Sequence, residues 1–203
     1  MLGLPRSTEV NRRIAKDRLY ENTTLTPQTS EMIKEQIEAV FWRNKLAEST
    51  ISVATGETVK EFQVFEVELR RKGIDRRILP AIAKAIPYTV LFVLTFDDEA
   101  QAWMEVSGTF YNTDWLPLTE LTLKFEGLNL NTVFENLARQ IAAGRLDTEN
   151  DIAEAVDLDK RRQKLKREIA VLEKKVLKEK QFNKQVALNS ELKRLRKELE
   201  GIG

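Results

Sequence analysis

The sequence contains no cysteine and no histidine among its 203 residues. The absence of cysteine excludes disulfides, thiolate nucleophiles, and zinc or iron–sulfur sites that depend on cysteine ligands. The absence of histidine excludes the imidazole general base and the commonest metal-ligating side chain. Any catalysis would therefore depend on carboxylates, lysine, arginine, hydroxyls or tyrosine, and we predict neither a cofactor nor a metal site.

Long apolar runs are also missing. The most apolar stretch, residues 88–96, has the length of a strand, whereas a membrane-spanning helix needs about 18 or more apolar residues. The amino-terminal residues show no apolar segment followed by a small-residue cleavage site. Glycine-rich phosphate-binding motifs and the signatures of methyltransferases and helicases are absent as well. We therefore expect a cytoplasmic protein that does not enter a membrane, and we make no prediction of nucleotide binding.

Charge is distributed unevenly along the chain. Residues 160–200 contain 15 Lys or Arg and 6 Asp or Glu, a net charge of +9, whereas the rest of the chain carries −8. The basic segment also lacks glycine and proline. These shifts predict three parts: an N-terminal arm over residues 1–24, a body over residues 25–157 and a basic helical segment over residues 158–203.

The body is predicted to be α+β, an α/β sandwich-like arrangement around one mixed sheet. Alternating or continuous apolar residues predict strands at 60–69, 88–96, 101–106 and, at an edge, 120–125. Apolar residues at helical spacing predict helices over 27–47, from about 75 to 87, from 131 to 144, and over 147–156. Thr26 and Asn131 are the predicted N-caps of the first and third of these helices.

The basic segment has heptad spacing with one change of register. The first a/d series consists of Leu158, Leu165, Ile169, Leu172 and Val176. The second consists of Leu188, Leu192, Leu195, Leu199 and Ile202 and is two residues out of phase with the first. Stutters and stammers shift the register by three or four residues, so this offset predicts a helix break within residues 180–185. We favour a basic α-helical hairpin over one long helix that forms a coiled coil with a second chain.

The positive charge of this segment predicts a binding surface. Docking of a partner protein is the favoured interpretation, and contact with the phosphate backbone of DNA is the second. A solvated helix surface without a binding role is the third. The predicted binding residues are Arg161, Arg162, Lys164, Lys166, Arg167, Lys174, Lys175, Lys178, Lys193, Arg194, Arg196 and Lys197.

An alternative hypothesis concerns the sequence FEVEL at residues 65–69. Its position on a strand, before a helix and a second strand, is similar to the core of PD-(D/E)XK nucleases, in which an acidic residue and a lysine two positions later bind Mg²⁺ and activate water. Here Glu66 is followed by Glu68 in place of the lysine. Glu57 could supply the second carboxylate and Lys84 the amine, which would make a diverged Mg²⁺-dependent nuclease.

The chain resembles a bacterial family known as a conserved domain of unknown function. The matching stretches are LGLPRSTEVNRRI at 2–14, FWRNKLAEST at 41–50, FEVEL at 65–69, KAIPYTVLFVL at 84–94, TDWLP at 113–117, FEGLNLNTVFENLARQIA at 125–142 and the basic tail. Members of that family tend to be encoded beside Swi/Snf-type helicases and DNA methyltransferases, in clusters of restriction–modification or phage-defence type. The resemblance implies the same gene neighbourhood for this protein. It transfers no catalytic residue to this chain.

Three functional hypotheses follow, with the oligomeric state left open. The favoured one is a non-catalytic accessory subunit of an anti-phage or restriction–modification-like complex. It would dock on a helicase or methyltransferase through the basic tail, with DNA as a possible second partner. The second hypothesis is the diverged nuclease. The third is a regulator, either a sensor of a phage protein or an inhibitor whose acidic body mimics DNA.

Overall fold

The structure, a computed structural model, describes residues 2–19 and 25–202. The chain forms two compact units, Met1–Arg145 and Leu146–Gly203, which we call the body and the helical unit. The sequence-predicted boundary at residues 157 and 158 lies inside the first helix of the helical unit. Residues 1 and 20–24 of the predicted N-terminal arm lie outside the described residues.

The body is built on one mixed sheet, so the predicted α+β class is confirmed. Its strands are β1 (Glu9–Ile14), β2 (Ile37–Leu46), β3 (Phe62–Leu69), β4 (Thr89–Phe96), β5 (Glu99–Val106), β6 (Thr109–Asn112) and β7 (Leu116–Pro117). The strand order is β1-β2-β3-β4-β5-β6, with β7 paired to β5. The pair β3 and β4 is parallel and the other pairs are antiparallel.

Local chemistry explains the connections in the sheet. A parallel pair needs a crossover, and helix α2 (Ile78–Ala83) lies in the segment between β3 and β4. The turn between β5 and β6 has positive φ at both Ser107 and Gly108, the backbone twist that tight hairpins favour. The predicted strands at 60–69, 88–96 and 101–106 therefore correspond to β3, β4 and β5.

Helices cover both faces of the sheet. Helices α1 (Pro27–Gln36) and α2 pack with Phe65, Val67 and Phe92 in one buried cluster. Helix α3 (Leu130–Ala142) contacts β5 and β6. Its Phe134 ring lies 6.3 Å from Phe62, a residue on the face of β3 opposite Phe65 because side chains alternate along a strand.

The predicted helix over residues 27–47 is wrong in its second half. Helix α1 begins as predicted, with the Thr26 hydroxyl accepting a hydrogen bond from the Thr29 amide, but residues 37–46 form β2. Ile33, Ile37 and Val40 have helical spacing, yet all three are buried in the same cluster. Pairing of residues 37–46 with two neighbouring strands therefore prevails over the local helical pattern.

The predicted edge strand at residues 120–125 is also wrong, because these residues form no strand. Leu121 and Leu123 are buried and alternate with exposed residues, which gives the strand-like pattern. The backbone amide and carbonyl of Lys124 bond instead to the side chain of Gln140 on α3, at 2.9 Å each. A helix side chain thus replaces the strand partner.

The third predicted helix is α3, but its N-cap is Asn129 rather than Asn131. The Asn129 Oδ1 accepts a hydrogen bond from the Thr132 amide at 3.0 Å. Asn131 has another role, since its Oδ1 accepts from the backbone amide of Val59 at 2.9 Å. The helix ends at Ala142 and is capped by Ala143 in a left-handed conformation, one residue before the predicted stop at Gly144.

The helical unit contains two long helices, α4 (Ile152–Lys178) and α5 (Phe182–Glu200). The predicted short helix at 147–156 is wrong because α4 begins at the Asp151 cap and continues unbroken to Lys178. The helices are separated by residues 179–181, which overlap the predicted break region at residues 180 and 181. Arg161 bonds to Glu198 and Gln185 to Val176, so α4 and α5 run antiparallel, with Leu165, Ile169, Leu192 and Leu195 buried between them.

Candidate functional site

The body has a cleft of about 660 Å³ on the sheet face opposite α1 and α2. Its floor is formed by residues of four adjacent strands, β1 to β4, and its rim by the amino-terminal residues and the segment after β7. The lining residues are Leu2, Gly3, Leu4, Glu9, Asn11, Arg43, Asn44, Val64, Glu66, Val93, Leu118 and Thr119.

A bulge in β2 places an ion pair in this cleft. The register between β2 and β3 shifts between Trp42 and Asn44, which leaves Arg43 as the extra residue and redirects side chains locally. The Arg43 Nε donates to Glu66 Oε2 at 2.7 Å, and the guanidinium lies 4.5 Å from the centre of the Phe41 ring. Glu66 is 6% exposed, so Arg43 compensates a carboxylate that is nearly buried.

The structure does not bring the four hypothetical nuclease residues together. Glu66 and Glu68 share one face of β3, but Glu68 does not line the cleft. Glu57 is exposed in the loop before β3. Lys84 follows α2, which packs on the opposite face of the sheet. Over residues 2–19 and 25–202, no three Asp or Glu side chains are grouped so that they could hold a metal ion.

The predicted basic residues of the helical unit fall into two groups. The first group makes ion pairs: Arg161 with Glu198 at 2.8 Å, Lys164 with Glu168 at 4.0 Å, Arg194 with Glu191 at 2.7 Å, and Arg196 with Glu173 at 2.7 Å. Hydrogen bonds from Arg194 and Arg161 lower the pKa values of Glu191 and Glu198, respectively. These cations are partly neutralised by the unit itself.

The second group forms no ion pair within the part of the chain that the structure describes. Its members are Arg162, Lys166, Arg167, Lys174, Lys175, Lys178, Lys193 and Lys197. Arg162 is only partly exposed, and Arg167 donates to the Gln163 carbonyl. The remaining six are exposed lysines whose charge is available to a partner.

Basic residues without an ion pair are concentrated around the turn that connects α4 and α5. We call residues 174–187 the tip. It contains five lysines, namely Lys174, Lys175, Lys178, Lys180 and Lys184, and a single acidic residue, Glu179, whose carboxylate accepts a hydrogen bond from the Gln181 amide. The sequence-based prediction omitted Lys180 and Lys184 from the binding residues.

The tip also exposes large apolar side chains that the sequence-based prediction missed. Leu177 is 84% exposed, Phe182 75% and Val186 48%. None of the three belongs to either a/d series. An apolar residue outside the heptad register and beside a predicted break has no partner within a hairpin, so the sequence could have indicated that these side chains are exposed. The tip therefore combines unpaired positive charge with exposed apolar surface.

The body is an α+β domain with helices on both faces of one mixed sheet. The chain belongs to the DUF4391 family, a domain of unknown function, which matches residues 2–199. Comparison with curated proteins found no match, and comparison with solved structures found none either. Because the matched range includes α4 and nearly all of α5, the helical unit is part of the domain that defines the family. No helix within the described ranges is both long and apolar enough to cross a membrane.

Proposed function

We propose that this protein is a non-catalytic accessory subunit of a bacterial DNA-targeting assembly and acts in the cytoplasm. Its helical unit docks on a helicase or DNA methyltransferase encoded beside it. Such neighbours, in restriction–modification or phage-defence clusters, are what the family resemblance implies. The proposal assigns the enzymatic steps to those partners and the docking to this chain.

The observation that carries the proposal is the composition of the tip. Scattered exposed apolar residues are ordinary on protein surfaces, but here Leu177, Phe182 and Val186 fall within ten residues of sequence beside unpaired lysines. Apolar groups surrounded by polar ones are typical of protein–protein interfaces. The helical unit thus presents a surface suited to a partner.

The geometry of the body supports a non-catalytic role. Arg43 already bonds to Glu66, the residue that the nuclease hypothesis requires for metal binding, and Lys84 follows the helix on the other side of the sheet. A nuclease would need Glu66 free and an amine within reach of it. The pairing of Glu66 and the position of Lys84 therefore favour the non-catalytic role over the nuclease hypothesis.

Co-purification tests the docking proposal. The tagged full-length chain is co-expressed with the neighbouring helicase, and separately with the neighbouring methyltransferase, and the eluted mass is measured by size-exclusion chromatography with light scattering. We expect one stable complex at micromolar concentration. Elution of this chain alone in both experiments would contradict the proposal, and recovery of a phage protein in place of either neighbour would favour the sensor hypothesis.

Plasmid incubation with Mg²⁺ or Mn²⁺ tests the non-catalytic part. We expect no cleavage by the purified full-length chain. Cleavage that disappears in both Glu66→Gln and Glu68→Gln would establish the nuclease alternative, provided that each variant retains the wild-type unfolding transition.

Contact with DNA is a second element of the proposal and depends on the unpaired basic residues. Binding of a 30-base-pair duplex is measured at several salt concentrations, because neutralisation of phosphates makes affinity fall steeply with salt. We expect a negative slope that becomes shallower in the variant Lys166→Glu/Lys193→Glu. A duplex affinity that does not change with salt would contradict this element.

A further inference from the structure

Three apolar side chains flank the turn between α4 and α5. Leu177 is the second-last residue of α4, Phe182 is the first residue of α5, and Val186 follows one helical turn later. Their exposed fractions are 84%, 75% and 48%. Removing exposed apolar side chains from water is favourable, so a partner that covers these three gains binding free energy.

The charged residues of the tip differ in type from those elsewhere on the same helices. All five basic residues of the tip are lysines, whereas the arginines of the two helices, Arg161, Arg162, Arg167, Arg194 and Arg196, lie outside it. With Glu179 as the only acid, the tip has a net charge of +4. Within the described residues, no tip lysine has a carboxylate within ion-pair distance.

We propose that the tip is a docking site for an acidic, amphipathic segment of a partner protein. Apolar side chains of that segment cover Leu177, Phe182 and Val186, and its carboxylates pair with the surrounding lysines. This inference rests on the proposed function and adds to it the surface used and the chemistry of the partner.

Charge complementarity selects this occupant over the alternatives. A second copy of the tip would place two +4 surfaces against each other, which is repulsive. The phosphates of DNA could pair with the lysines, but the three apolar side chains would then face phosphates and sugars and contribute little to the binding free energy. Peripheral membrane helices bind through a long, continuous apolar face, whereas the described part of α4 and α5 exposes one further large apolar side chain outside the tip, Val171.

Matched variants of the full-length chain separate the tip from the rest of the surface. The tip variant is Leu177→Gln/Phe182→Ser/Val186→Gln. The control is Leu128→Gln/Tyr88→Ser, which removes large apolar residues from the body that are 91% and 47% exposed. Because all of these residues are exposed, both variants are expected to fold, and circular dichroism verifies their helix content.

Binding is measured by titration against the neighbouring helicase or methyltransferase that forms the complex with the wild-type chain. Loss of anchors at an interface centre weakens binding by about tenfold or more per residue, so we expect at least a hundredfold loss in the tip variant and less than a threefold change in the control. Equal binding by the tip variant and the wild type would overturn this inference and leave the proposed function standing. Absence of binding by the wild type would overturn both.

Two further arms test the chemistry of the partner. The charge-reversal variant Lys174→Glu/Lys178→Glu/Lys180→Glu should weaken the complex at least tenfold, and the control Lys34→Glu/Lys60→Glu/Lys124→Glu, at three exposed lysines of the body, by less than threefold. Carbodiimide treatment of the wild-type complex should produce amide cross-links from tip lysines to Asp or Glu of the partner, identified by mass spectrometry. Cross-links confined to lysines outside the tip would contradict the proposed site.

A final experiment tests DNA and lipid directly as ligands of the tip. The wild type and the tip variant are mixed with a 30-base-pair duplex and with vesicles containing phosphatidylserine. We expect the apolar substitutions to leave both interactions unchanged within twofold. If they abolish duplex or vesicle binding, the tip takes nucleic acid or lipid, and the assignment of a protein segment is wrong.

Discussion

The body and the helical unit are stabilised by different means. The body has a mixed sheet that is covered by helices on both faces and contains fully buried residues such as Phe92, Leu91 and Met104. In the helical unit, four apolar residues form a buried row between α4 and α5, and the ion pairs lie on the surface. Apolar burial contributes more per residue than surface ion pairs, which are worth about 0–1 kcal/mol. The comparison predicts that core substitutions cost more stability in the body than in the helical unit.

The largest expected effect is in the body. Phe92 is 1% exposed on the central strand β4, and Phe92→Ala should lower the free energy of unfolding by about 3–5 kcal/mol because it leaves a cavity in a packed core. Urea unfolding followed by tryptophan fluorescence measures this, since Trp42, Trp103 and Trp115 all lie in the body. A loss below about 1 kcal/mol would show that this core is loosely packed, and the body would then not differ from the helical unit in apolar packing.

A smaller effect is expected in the helical unit. Leu192 is 7% exposed between α4 and α5, and Leu192→Ala should cost about 2 kcal/mol, the low end for such substitutions, because two surface helices can move together around the gap. The helical unit has no tryptophan. We therefore expect the transition followed by far-ultraviolet circular dichroism to shift more than the fluorescence transition. Equal shifts of both transitions would show that the two regions unfold as one.

Local patterns were sufficient for much of the sheet but not for its pairing. Alternation in β3 and continuous apolar character in β4 identified both strands. Residues 37–46 were predicted as helix because the spacing of Ile33, Ile37 and Val40 is compatible with a helix. Pairing with β1 and β3, which lie elsewhere in the sequence, makes these residues a strand. Likewise, the side chain of Gln140 replaces a strand partner at Lys124, which no local pattern indicates.

The candidate sites show the same limit. Glu66 was singled out from its strand position, but its partner Arg43 lies 23 residues away and faces it because of a bulge that depends on register. The basic helices were predicted from heptad spacing and charge. The distinction between paired and unpaired cations needed the antiparallel arrangement, because Arg161 and Glu198 are 37 residues apart in sequence.

Two ion pairs of nearly equal length test whether burial determines how much an ion pair contributes to the free energy of unfolding. Arg43→Met leaves Glu66 without its cation, and we expect a loss of about 1–3 kcal/mol because an unpaired, nearly buried carboxylate must be desolvated. Arg161→Met, the corresponding change in the helical unit, should have a smaller effect, because Glu198 is more exposed and also pairs with Arg194. Urea unfolding measures both.

A double variant verifies the cause. Adding Glu66→Gln to Arg43→Met removes the uncompensated charge, so part of the lost stability should return. If the double variant is as unstable as the sum of the two single variants, the Arg43 side chain acts through its packing on Phe41 rather than through the ion pair.

The smallest effect concerns a surface carboxylate of the body. Asp75 accepts hydrogen bonds from the Arg77 side chain and backbone amide at 2.9 Å, which lowers its pKa to about 2. A carboxyl group with a lowered folded-state pKa stabilises the fold above its unfolded-state pKa of about 3.9, and this contribution is lost as the pH falls towards 2. Because the group is solvent-screened, we expect the effect mainly in its titration. Carboxyl NMR should give a midpoint near 2 in the wild type and a value closer to the ordinary one in Arg77→Ala. An unchanged midpoint in that variant would assign the lowered pKa to a source other than Arg77.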